Sequence, residues 1–149
     1  MLARRIKKEC KELEKDPLPG ITLNMKGEKI DKWSATIEGP EGTPYEGYTY
    51  SLNVNLPDKY PMECPRISFS HSMYHPNIST NGDICLDILQ TQYSPTLTLG
   101  KILLSISSLL GDPNPNSPLN GEAARLWKGN REEYNRKVVE FSEKYCEKK

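Results

Sequence analysis

Cys85 is the residue of this chain placed best for covalent chemistry. It lies in Tyr74-His75-Pro76-Asn77-Ile78-Ser79-Thr80-Asn81-Gly82-Asp83-Ile84-Cys85-Leu86-Asp87-Ile88-Leu89, a long stretch without strand alternation. Pro76 fixes its own φ and biases His75 away from helix, and Asn81-Gly82-Asp83 is a turn signal, so the thiol sits in a shaped loop. Such loops usually carry function. The chain has four cysteines. Cys10 continues an apolar helical stripe and Cys146 is expected near the fraying end of the last helix, while Cys64 has no assigned role. Their wide spacing, without Cys-x-x-Cys or a Cys/His cluster, argues against zinc, and no metal site is expected. A cysteine protease would need a histidine to activate the thiol, and neither His71 nor His75 stands in a recognised protease arrangement.

The elements that must hold this loop read as follows. Leu2, Ile6, Cys10 and Leu13 recur at helical spacing, with Arg5, Lys8 and Glu12 on an outward face, up to the breaker Asp16-Pro17-Leu18-Pro19-Gly20. Ile21, Leu23, Met25, then Trp33, Ala35, Ile37, then Tyr48, Tyr50, Leu52, Val54, Leu56 alternate with polar residues, as half-buried strands do. Gly27-Glu28 and Gly39-Pro40-Glu41-Gly42-Thr43-Pro44 are hairpin-length separators, and Ile67 with Phe69 marks a short fourth strand. Leu99, Ile102, Leu103, Ile106, Leu109 and Leu110 form a wide apolar stripe capped by Thr98, the expected central helix. After Gly111-Asp112-Pro113-Asn114-Pro115-Asn116-Ser117-Pro118, helices capped by Asn120 and Asn130 are predicted, the last burying Tyr134, Val138, Phe141 and Tyr145. The expected architecture is α+β: an N-terminal helix, a four-stranded antiparallel meander, a central helix and two C-terminal helices, in one domain over residues 1–149.

Composition narrows the function classes. Twenty Lys/Arg balance twenty Asp/Glu, against a general nucleic-acid binder, and no apolar run approaches the roughly 20 residues of a membrane span. The first residues lack signal-peptide character, so a cytoplasmic or nuclear location is expected. Up to Lys15 the chain holds six Lys/Arg against three Glu, whereas residues 16–130 hold eight against twelve. That asymmetry gives either a basic docking surface or simply a solvated helix face.

In order along the chain, the helix, the strand with Trp33, Gly39-Pro40 with Pro44-Tyr45-Glu46-Gly47, Tyr60-Pro61, His75-Pro76-Asn77, Gly82 to Leu89 around Cys85, and Asp112-Pro113-Asn114-Pro115 closely resemble the ubiquitin-conjugating enzymes (E2), in the compact class made of the catalytic (UBC) domain alone. The weight rests on the ordered set and on the spacing from Asn77 to Cys85. The resemblance implies a transferase whose Cys85 accepts ubiquitin as a thioester from an E1 activating enzyme. Cys85 then passes it to a substrate lysine with RING or U-box ligases, or to the cysteine of a HECT-type ligase. ATP would be used by the activating enzyme, with no cofactor here. Since the incoming thioester is already activated, a free thiol with pKa about 8.5 needs no dedicated base.

The family implies roles residue by residue. His75 with Pro76 would fix the local turn. Asn77 would either steady the oxyanion, a contribution elsewhere of about 10²–10³ in rate, or hold the loop. Ser117 stands where many relatives orient the incoming lysine, and Asp87 would share that task or simply be solvated. Arg4, Arg5 and Lys8 would meet the activating enzyme and ligases; Met62, Ser94, Pro95 and Thr96 would form the ligase-gripped loops, with Gln92 beside a ligase cation. Leu97 and Leu104 would contact donor ubiquitin, unless they are core, and Thr22 would lie on a face that binds a second ubiquitin. Met62, Cys64 and Tyr93 depart from the pattern, where phenylalanine, proline and tryptophan are common. Weaker HECT binding is expected from Met62. Two alternatives stay open: a modifier-binding module of the same fold without chemistry, which retention of Cys85 disfavours, and conjugation of another ubiquitin-like modifier. The inserted loop that marks SUMO-conjugating relatives is absent from the sequence.

Overall fold

Burial alternates along the second, third and fourth strands as the residue types demand and sets their register. The first strand buries no residue fully, and its Met25, expected half-buried, is 43% exposed at the strand end. The computed structural model describes residues 1–148. Helix α1 spans Leu2–Lys15, and strands β1 Ile21–Met25, β2 Lys32–Glu38, β3 Tyr48–Asn55 and β4 Arg66–Phe69 pair antiparallel in chain order. Trp33 faces Val54, Ala35 faces Leu52 and Ile37 faces Tyr50 across β2 and β3, while Leu52 and Val54 face Phe69 and Ile67 across β3 and β4. All of these side chains are buried. A slip of one residue would turn the set to solvent, so the apolar pattern itself enforces the pairing.

Helix α2, Leu99–Gly111, follows a 3₁₀ turn at Asp87–Leu89 and contacts β1, β2 and α1. Thr98 caps it, its side chain accepting the Lys101 N–H, and all six stripe residues from Leu99 to Leu110 are buried. Each such side chain contributes about 1.5–3 kcal/mol by leaving water. Helices α3, Gly121–Gly129, and α4, Arg131–Tyr145, are capped by Asn120 and Asn130, which accept the N–H groups of Ala123 and Glu133. The α+β meander with one leading, one central and two trailing helices is therefore the fold.

Its end differs from expectation. Instead of fraying, the chain runs from α4 into a short strand β5, Glu147–Lys148, which pairs antiparallel with β3 at Tyr48 and Thr49, beyond the reach of β4. Cys146 is consequently half-buried against the core, with its Sγ 3.7 Å from His71 Nδ1. The inner face of α4 is also rotated. Tyr145 is 42% exposed, whereas Ser142 is buried and its hydroxyl meets that of Tyr50 at 2.7 Å. Tyr48 donates to Glu143 at 2.6 Å. These polar contacts draw the last turn onto β3 where an apolar residue would have been sought.

Two glycines matter to the site. A Cβ on Gly39 would stand 1.7 Å from the Tyr45 carbonyl oxygen. This close approach lets Tyr45, fully inside, bond through its hydroxyl to the Tyr74 carbonyl and to the Tyr134 hydroxyl. Gly82 has φ +94°, and its Cβ would meet the Phe69 carbonyl oxygen at 2.2 Å. Only glycine fits either place.

Candidate active site

The Cys85 loop is hung on the fold by buried polar contacts at its start and by an extension of the sheet at its end. The Gly82 carbonyl accepts the Phe69 N–H at 2.9 Å, and Asp83 bridges Ser68, so residues 82–83 continue the edge beside β4. Ser79 closes the intervening turn: its hydroxyl accepts the N–H groups of Asn81 and Asp83, and its own N–H donates to the Asp83 carbonyl.

His75 anchors the other end. It is fully buried, with Nε2 2.7 Å from the Leu109 carbonyl at the end of α2 and Nδ1 accepting the Asn77 N–H at 3.0 Å. That pairing requires the neutral ring with its proton on Nε2. Burial lowers the His75 pKa to about 4, outweighing the opposing bond to Leu109. Both ring nitrogens are therefore committed to structure. In the unfolded chain histidine takes up a proton below about pH 6.5, whereas here it does so only near 4, so stability is full above 6.5 and falls as pH drops between the two. From pH 7 to pH 5 the loss expected from this residue is about 2 kcal/mol. Urea unfolding of the wild type and of His75→Gln at the two pH values measures it; equal pH slopes would remove the effect.

Asn77 carries the next layer. Its backbone carbonyl accepts the Cys85 N–H at 2.9 Å, which fixes the backbone at Cys85. Its side chain, 1% exposed, is spent on the loop after α2: Nδ2 donates to the carbonyls of Asn114 at 2.7 Å and Ser117 at 3.1 Å, and Oδ1 accepts the Asn114 N–H at 2.7 Å. The buried Pro76 adds to this by accepting the N–H groups of Leu119 and Asn120. His75, Pro76, Asn77, Cys85 and Ser117 thus form one bonded unit. Every donor and acceptor of the Asn77 amide that points inward already has a backbone partner, which is the geometry of a scaffold.

Cys85 itself is partly exposed. It lies outside five grooves of 390 to 630 Å³ that indent the described surface. Asp87 is exposed, and its backbone carbonyl accepts from Gln90 and Gln92, turning the chain back after Cys85. Cys64 lies 3.4 Å through Sγ from the Leu89 carbonyl, so it ties the segment before β4 to this turn. Ser117 is exposed at the rim.

A second unit gathers most of the expected docking residues. Arg4 and Lys8 are exposed on α1, and Met62 is 62% exposed. Tyr93 donates to the Pro61 carbonyl at 2.6 Å, linking the loop around Met62 to the loop of Ser94, Pro95 and Thr96, where the Ser94 and Thr96 hydroxyls meet at 2.9 Å. Gln92 is exposed beside it. Arg5 differs from the outward charge expected of it: its Nε pairs with Glu9 at 2.9 Å and its Nη2 reaches the Leu97 carbonyl at 3.3 Å. Leu104 is 47% exposed on a helix that otherwise buries its leucines, whereas Leu97 packs partly against the core. Thr22 is exposed on the sheet, bonded to Thr36 across the β1–β2 pair, apart from both units.

Glu9 is the residue that sequence reasoning missed. It is 2% exposed and is bonded by Arg5, Tyr60 and the Leu99 N–H. Its position was visible in the spacing, because Leu2, Ile6, Glu9 and Leu13 follow the 4-3-4 step of a buried face. Among the described residues no cluster of His, Cys, Asp and Glu is arranged to hold a metal ion, and no helix is long and apolar enough to cross a membrane. A family model described as ubiquitin-conjugating enzyme matches residues 5–142.

Proposed function

The chain belongs to the ubiquitin-conjugating enzyme family, and from that premise we propose that it is an active transferase that carries ubiquitin as a thioester on Cys85. Family membership implies a transferase of ubiquitin conjugation that meets ubiquitin, an activating enzyme and ligases. The observation that carries the finer reading is the partly exposed Cys85, seated through its own N–H on the Asn77 carbonyl. In the proposed cycle the Cys85 sulfur attacks the ubiquitin carbonyl of the activating enzyme's thioester, the C–S bond to that enzyme breaks, and its thiol leaves with a proton. A lysine amine, oriented at the rim by Ser117 and Asp87, then attacks the new thioester. The Cys85 thiol is released with a proton and an isopeptide bond remains. With a HECT-type ligase the acceptor is a second thiol instead.

Arg4, Lys8, Met62, Gln92 and the Ser94–Thr96 loop serve activating enzyme and ligases, Leu104 the bound ubiquitin, and Thr22 a second ubiquitin. ATP is consumed by the activating enzyme rather than here, and the cytosol or nucleus is the working compartment. The test is a gel of this chain mixed with activating enzyme, ATP and each candidate modifier, with and without reductant. A reductant-sensitive adduct with ubiquitin supports the reading, whereas an adduct formed only with a different modifier would reassign it.

Ser117 supplies a hydroxyl but no negative charge, so it positions an amine without favouring its deprotonation. Ser117→Asp should accelerate discharge of the thioester to free lysine about three- to tenfold, from the added general-base character. An unchanged discharge rate would leave Ser117 without a part in aminolysis.

A further inference from the structure

Glu9 holds three separate stretches of chain together, and all three border the exposed residues assigned above to ligase docking. One carboxylate oxygen accepts the Leu99 N–H at 2.6 Å; the other accepts Arg5 Nε at 2.9 Å and the Tyr60 hydroxyl. Leu99 is the first residue of α2, whose N–H has no partner within the helix, and a carboxylate is favoured at that positive end. Arg5 extends the connection to the Leu97 carbonyl at 3.3 Å, and its guanidinium lies 5.8 Å from the centre of the Tyr60 ring. The hydroxyl of Tyr93 closes the circuit on Pro61. Met62 thus stands two residues from one anchor of Glu9, and Thr96 one residue from an anchor of Arg5.

We propose that Glu9 is a positioning residue for ligase docking: its buried carboxylate locks α1, the Tyr60–Met62 loop and the Ser94–Leu97 loop into one preformed platform. The inference rests on the ligase-dependent reading given above. The carboxylate is needed for its two acceptor oxygens. A glutamine amide offers one oxygen, and its NH₂ would face the N–H donors of Arg5. No hydrogen bond of this unit is shared with the one built by His75, Asn77 and Cys85, so platform and chemistry should separate on mutation. The buried stripe from Ile102 to Leu110 holds the rest of α2 in either case.

The experiment titrates a purified RING domain, chosen because it accelerates discharge of the wild-type thioester to free lysine, against wild type and Glu9→Gln. The half-saturating RING concentration should rise about tenfold or more, the cost of one lost charge-assisted bond, with ligase-free discharge and the rate at saturating RING domain both within about twofold. Amide hydrogen exchange of the free proteins is the second measurement. In Glu9→Gln, exchange at Leu99, Met62 and Leu97 should quicken about tenfold with that at Asn77 and Cys85 unchanged. Unchanged exchange at the loop positions, or ligase-free discharge falling in step with ligase-stimulated discharge, would overturn the proposal. If no RING domain stimulates the wild type, the ligase-dependent reading fails, and the exchange comparison still decides whether Glu9 holds the platform.

Discussion

Cys85→Ala should leave no reductant-sensitive ubiquitin adduct at all, a loss beyond about 10³-fold in loading, because no other group can supply the bond that forms at this position. Cys85→Ser should instead accumulate an adduct that resists reductant. The oxygen ester that it forms is a poorer acyl donor to an amine than a thioester, so loading persists while turnover stops. Neither change should matter to the fold. The thiol is partly exposed, and the bond that seats the residue comes from its backbone N–H, which any residue but proline provides. Unfolding free energies within about 0.5 kcal/mol of wild type are expected. The remaining cysteines are poor substitutes on physical grounds. Burial pushes the Cys10 and Cys64 thiols up and takes Cys146 to about 12, so each holds less thiolate at neutral pH than a free thiol would. A persistent thioester in Cys85→Ala, mapped by mass spectrometry to one of those sulfurs, would overturn the assignment of the nucleophile.

The meander and the central helix were legible because one force wrote them. Alternation in β2 and β3 and the 3.6-residue stripe of α2 each report apolar burial, which is local in sequence and non-directional in space. The caps Thr98, Asn120 and Asn130 were equally legible, since a cap acts within one turn. What escaped is held by polar groups whose partners are distant in the chain. The helical spacing puts Glu9 on the buried face, but its role shows only once Tyr60 and Leu99, 51 and 90 residues away, are known to converge on it. Arg5 turns inward to Glu9, one helical turn away and itself buried, and to the distant Leu97 carbonyl, and Ser142 meets the equally distant Tyr50. In the active loop, His75 and Asn77 were found by motif, but only the geometry tells what their polar atoms face: for His75 the end of α2, and for Asn77 the backbone of residues 114 and 117. A residue type announces hydrogen-bonding capacity, and the fold decides where it is spent.

That distinction gives the second large effect. Asn77→Ala removes three part-buried hydrogen bonds to the 114–117 segment and takes the side-chain partner from the Asn114 N–H and the Ser117 carbonyl, while the Asn114 carbonyl keeps the Ser117 N–H. With the Cys85 N–H still bonded to the residue 77 carbonyl, thioester loading should fall little, by no more than about threefold. Ser117, whose carbonyl loses its tie, should drift from the rim, and aminolysis should drop on the order of 10- to 100-fold, the penalty of about an ångström of misplacement. A scaffold role further predicts a stability loss of about 2–3 kcal/mol and faster amide exchange at Asn114 and Ser117. An oxyanion role predicts neither, only a slower chemical step. Asn77→Asp sharpens the comparison. It keeps Oδ1 for the Asn114 N–H but turns a carboxylate oxygen onto the carbonyls of Asn114 and Ser117, so for a scaffold it should be at least as unstable as alanine. Wild-type stability in both variants, with aminolysis still reduced, would assign the Asn77 amide to the transition state instead of to the loop.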